Sequence, residues 1–77
     1  MIGNVTMIAT VLGCRNGSLI VRDHANSQIV VVHTPWACRF RIGDRVRIQF
    51  SGAMTLSIPP QITAINIMRI PPWGWNR

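Results

Sequence analysis

The chain contains no lysine, no glutamate and no tyrosine, and its only acidic residues are Asp23 and Asp44. Two isolated acids cannot supply the paired carboxylates of general acid–base chemistry. Asp23-His24 lacks a nucleophile and an orienting partner, so a catalytic constellation is not expected. Aromatic residues make up 6% of the chain, which limits base stacking. No apolar run approaches the roughly 20 residues of a membrane helix. The first residues lack the positive segment and small-residue cleavage site of a secretion signal, so a cytoplasmic protein is expected. There are two cysteines, Cys14 and Cys38, with no C-x-x-C or H-x-H spacing. Buried, reduced thiols are the expectation for a cytoplasmic chain, with a disulfide as the second reading. Zinc held by Cys14, Cys38, His24 and His33 comes last, and neither metal nor cofactor is expected.

What is present is arginine. All eight basic residues are arginine, against two acids, for a net charge of +6. Arginine's planar fork binds phosphate through two hydrogen bonds and stacks on bases, so this set suits nucleic acid. The competing reading is a solvated, solubilising surface. Seventy-seven residues make one domain with a small core. At 48% hydrophobic and 13% charged, the composition is globular.

Apolar residues follow a period of two, and β-branched types dominate each run, which predicts strands. Strand one spans 4–12 and precedes Asn16-Gly17, a strong hairpin signal. Strand two spans 18–23 and strand three 28–33. Pro35 is predicted to open a short helical turn, with Thr34 as its N-cap. Strand four spans 45–50, with Val46, Ile48 and Phe50 inward and Arg45, Arg47 and Gln49 outward. Strand five spans 61–69, after Pro59-Pro60, which cannot donate to a ladder. The predicted core is Val5 or a strand-one neighbour, Leu19, Val21, Val31, Val46, Ile48, Phe50, Ile62 and Ala64.

Short hairpins after strands one and two, a longer connector before strand four and a long loop before strand five predict an all-β, five-stranded antiparallel OB-type barrel. An SH3-like barrel is the runner-up. Phe40–Ile48 (F-R-I-G-D-R-V-R-I) is similar to the segment leading into strand four of many small bacterial OB-fold proteins. Ser57–Ile62 (S-I-P-P-Q-I) resembles a segment before the last strand of OB-like families. On this reading residues 1–70 form the barrel and 71–77 a Pro/Trp-rich tail.

The resemblance implies a ligand face over strands two and three and their flanking loops. Carried onto this sequence, the face comprises Arg15, Asn16, Arg22, His24, His33, Trp36, Arg39 and Arg41, facing single-stranded nucleic acid. No aromatic residue lies on strands two or three. Arg45 and Arg47 are assigned to the far side of the barrel. The alternative is a protein-interacting or self-associating domain using Met54, Leu56 and Ile58 of the 51–60 loop with Trp73 and Trp75. In a domain this short, the same loop is also available to cap the core.

Overall fold

The computed structural model of the protein describes residues 4–71. Five strands, β1 (Val5–Arg15), β2 (Ser18–Asp23), β3 (Ile29–His33), β4 (Arg45–Phe50) and β5 (Gln61–Ile70), close into a barrel in the order β1-β2-β3-β5-β4. The order is consistent with an OB-like small barrel. The pairing is mixed, which corrects the all-antiparallel expectation. β3 and β5 run parallel over Val31–His33 and Gln61–Thr63, and every other pair is antiparallel. A parallel pair requires a crossover connection. Here the connector, β4 and the 51–60 loop supply it.

β1 runs three residues further than the sequence pattern indicated because it serves two neighbours. Val5–Thr10 pair with β4, while Ala9–Arg15 pair with β2. A bulge between Val11 and Gly13 bends the strand where it passes from one partner to the other. At the β1–β2 turn Gly17 takes φ 74°, whereas Asn16 keeps a negative φ, so the turn is not the I′ form that Asn-Gly usually adopts.

The core comprises Met7, Ala9, Val11, Leu19, Val21, Val30, Val32, Val46, Ile48, Phe50 and Ile62, closed at one end by Ala37. Two core assignments change and the one left open on β1 is decided: Val5 is 45% exposed and its neighbour Met7 takes the inward place. On β3 the inward residues are Val30 and Val32, because they pair with Val21 and Leu19; Val31 faces outward and is half-buried. A run of four apolar residues has no phase of its own, and only the register against β2 sets it. Ala64 is half-buried rather than central. A register shift opposite Gln49/Phe50 leaves Ile65 as an extra residue, so Ile67 continues the packing against the core.

The β3–β4 connector carries a single 3-10 turn, Ala37–Arg39, two residues later than expected. Trp36 occupies its N-cap position. Thr34, the expected cap, is buried; its hydroxyl accepts the Trp36 N–H at 3.3 Å, and its own N–H donates to Gly17 O at 3.0 Å. The Gly-Asp turn before β4 is built as its sequence suggests. Gly43 has φ 94° and donates its N–H to Val11 O, while Asp44 Oδ2 accepts the Arg41 N–H at 3.0 Å. Asp44 Oδ1 also pairs with Arg69 Nε at 3.4 Å. Asp44→Ala is expected to cost about 1–2 kcal/mol through the lost turn bond. Urea denaturation would measure it, and an unchanged midpoint would show that the turn stands without this carboxylate.

Candidate nucleic-acid interface

The eight residues assigned to the ligand face fall into two groups. Arg15, Asn16, His33, Trp36 and Arg39 collect where the β1–β2 turn meets the β3–β4 connector. The link is covalent. Cys14 and Cys38 form a disulfide with Cα atoms 5.6 Å apart, which corrects the expectation of reduced, buried thiols. Cys14 sits near the end of β1 and Cys38 in the 3-10 turn of the connector, which the barrel closure brings together, and both are exposed rather than in the core. Their separation of 24 residues gave no sign of that proximity. Each cysteine is followed immediately by an arginine, so the cross-link carries Arg15 and Arg39 to the same corner. Arg41 follows two residues after Arg39.

Arg22 and His24 stand apart from this corner. Arg22 projects from the far end of β2, roughly 13 Å along the strand from Ser18 at about 3.3 Å per residue. His24 turns over β1 instead of the β2–β3 face. Its N–H donates to Ile8 O at 2.9 Å, and its Nε2 lies 2.6 Å from Thr10 Oγ1. Thr10 pairs with Arg22 on one side and Arg45 on the other. Arg45 therefore lies in the same cross-strand row as Arg22, with only β1 between them, instead of on a remote side of the barrel.

The face over β2, β3 and β5 carries a hydrogen-bonded chain that was not anticipated. His33 Nε2–H donates to Gln61 Oε1 at 2.7 Å, leaving Nδ1 to accept the Ser18 hydroxyl at 3.3 Å. The pairs Ser18↔His33 and His33↔Thr63 set these side chains in one row. Ile20, Val31 and the exposed Ile29 form the rest of the face. Ser18 and Gln61 each open a strand, and nothing local in the sequence indicates that His33 bridges them. The Ser–His–Gln order superficially resembles a nucleophile, base and orienter. A neutral amide, however, cannot stabilise an imidazolium as a carboxylate does.

The electrostatics are one-sided. Asp44 engages Arg69, and Asp23 Oδ1 caps its own turn by accepting the Ala25 N–H at 2.9 Å. Arg47 reaches Met68 Sδ at 3.9 Å. The side chains of Arg15, Arg22, Arg39, Arg41 and Arg45 have no hydrogen-bond or ion-pair partner among the described residues. No cluster of metal-ligating side chains occurs among the described residues.

The 51–60 loop does not cap the core. Leu56 and Ile58 are 101% and 97% exposed; of the apolar strip, Met54 alone reaches the barrel mouth, beside Val5, Met7 and Phe50, while Pro60 is buried at the loop's end. The loop is nonetheless well tied. Thr55 N–H donates to Gln61 O, Gln61 N–H donates to Thr55 Oγ1, and Ser57 Oγ–H donates to Pro59 O. Trp73 and Trp75 lie outside the described residues.

No protein-family model, curated protein or solved structure matches the chain.

Proposed function

We propose that this barrel is an OB-type binding module for single-stranded nucleic acid, without catalysis of its own. The observation that carries the reading is the disulfide-linked corner. Arg15 and Arg39 flank the cross-linked cysteines, and neither guanidinium has an acidic partner. Unpaired cations brought together on a fixed frame favour a polyanion, because phosphates supply charge-assisted hydrogen bonds that the protein lacks. Trp36, 39% exposed beside them, offers one stacking surface. The β2–β3 face has an apolar floor and the Ser18–His33–Gln61 chain, but no aromatic ring. Binding is therefore dominated by phosphate contacts, tolerant of sequence and modest in strength.

The Cys14–Cys38 bond supports an oxidising compartment in place of the cytoplasm expected from the sequence.

The test is a titration of a labelled single-stranded oligonucleotide at two salt concentrations. Affinity should fall steeply with salt. Arg15→Ala and Arg39→Ala should each weaken binding and lower the log–log salt slope by about 0.7, the value for one phosphate on a single strand. Arg22→Ala and Arg45→Ala, which flank Thr10, should have similar and smaller effects. Absence of binding at low salt would defeat the reading.

A second reading rests on the exposed Leu56 and Ile58. Two apolar side chains held in water on a hydrogen-bonded loop are suited to a protein contact. If the loop serves that role, Leu56→Ser and Ile58→Ser would leave oligonucleotide binding unchanged and abolish the protein contact.

A further inference from the structure

We infer that Thr10, Arg22 and Arg45 form a separate anion site on the outer face of β1, β2 and β4, suited to one compact phosphate monoester. Register creates it. Thr10 pairs with Arg22 on β2 and with Arg45 on β4, so the three side chains stand in one row on the same face. The two arginine stems are two strand spacings apart, about 10 Å. The short threonine between them leaves a gap into which both long side chains can turn. Thr10 and Arg45 also line a cleft of about 200 Å³, with Gly43, Asp44 and Arg69 beside them.

The middle of the row supplies a donor. His24 turns over β1, and its Nε2 lies 2.6 Å from Thr10 Oγ1. With the ring proton on Nε2, His24 donates this bond and the Thr10 hydroxyl hydrogen is left to point outward. A hydroxyl between two guanidinium groups matches phosphate, whose several oxygens accept from all three at once. Neither Arg22 nor Arg45 has a hydrogen-bond or ion-pair partner among the described residues. No carboxylate takes the place of the ligand. Asp44, in the cleft wall, offers Oδ1 to Arg69 Nε and Oδ2 to the Arg41 N–H. Asp23 pairs with Ala9, so it leaves β2 on the opposite face from Arg22, and its Oδ1 accepts the Ala25 N–H.

The surroundings favour a compact anion over a run of phosphates. The next outward row on one side is Gly13 with Ile20, and on the other side β1 continues with half-buried Ile8. Arg47, opposite Ile8, reaches Met68 Sδ at 3.9 Å and so leans towards β5. Successive phosphates of a chain therefore find no cationic path along β1 or β2. A monoester carries more charge than the diester of a chain and presents three free oxygens, so it gains most from two forks and a hydroxyl. The site lies away from the corner of Arg15 and Arg39 and does not rest on the nucleic-acid reading.

Titration of the oxidised, isotope-labelled full chain with inorganic phosphate tests the inference, with chloride holding the ionic strength constant. The expected result is saturable movement of the Thr10, Arg22, His24 and Arg45 amide signals, with those of Arg15 and Arg39 unmoved. Arg22→Ala, Arg45→Ala and Thr10→Val should each weaken phosphate binding about tenfold or more, the scale of one hydrogen bond to a charged group. Thr10→Ser should retain it. Arg15→Ala and Arg39→Ala should leave it unchanged, so the titration stands whether or not an oligonucleotide binds at the corner. The same amide spectra show that each variant is folded. Two oligonucleotides, one with a 5′-phosphate and one with a 5′-hydroxyl, then distinguish the source of the monoester. Preference for the phosphorylated end, lost in Thr10→Val, assigns a strand terminus. Equal affinities for the two, beside saturable phosphate binding, assign a free small phosphate. Signal movement that spreads over every arginine without saturating, or native phosphate binding by Thr10→Val, overturns the inference.

Discussion

Breaking the Cys14–Cys38 bond is expected to lower the melting temperature by about 15–25 °C. A cross-link between residues 24 apart in sequence removes loop-closure freedom from the unfolded chain. In the chain-entropy model this amounts to about 3.5 kcal/mol. A small domain has a total stability near the low end of about 5–15 kcal/mol, so the bond supplies a large share. At about 4–8 °C per kcal/mol for a domain of this size, the shift follows. Both cysteines lie on exposed residues, so a dithiol reductant in solution can reach them. Thermal denaturation with and without reductant, alongside the Cys14→Ser/Cys38→Ser double variant, measures the effect. Alkylation of native, unreduced protein gives an independent check. Two alkyl groups per chain, with the same melting temperature in both conditions, would show that the thiols are free.

The disulfide also indicates how far the sequence could be read. Strand positions were legible: β2 and β4 match the alternation residue for residue, and β5 differs by one residue. The strand order followed from connection lengths. Phase and proximity were less accessible. In Ile29–Val32 every residue is apolar, so the inward pair Val30 and Val32 emerges only from register against Leu19 and Val21. The β5 bulge at Ile65 is likewise a property of the β4–β5 pair and not of β5 alone. Cys14 and Cys38 meet because barrel closure brings the end of β1 to the connector, a relation that spacing along the chain cannot encode.

The candidate site divides in the same way. Arginine content suggested the anion-binding surface proposed above. The sequence places Asn16 in a turn and Trp36 and Arg39 in the connector, as the fold has them, whereas Arg15, expected in the first loop, ends β1. The sequence could not show that His24 folds over β1 to reach Thr10, or that Thr10 places Arg22 and Arg45 in one row. Nor could it show that His33 links Ser18 to Gln61 across three strands. These are cross-strand relations, fixed by register and invisible to local pattern.

Replacing Ile48 with aspartate is expected to unfold the domain. Ile48 has no exposed surface and is among the largest fully buried side chains. It lies opposite Met7 on β1 and Ile67 on β5, so it joins both neighbours of β4 to the core. Removing its buried surface forfeits about 1.5–3 kcal/mol. Placing an unpartnered carboxylate there costs several kcal/mol more, whether the group stays charged or takes up a proton to become neutral. The sum approaches or exceeds the whole stability of a small domain, about 5–15 kcal/mol in general. The neighbouring change Gln49→Asp provides the contrast. Gln49 is outward and half-buried, so an aspartate there can keep its charge near water, and the barrel should still fold. Far-UV circular dichroism and one-dimensional NMR of the two variants distinguish the cases. A cooperatively melting Ile48→Asp protein, or equal disruption by Gln49→Asp, would mean that the β4 faces are assigned the wrong way round.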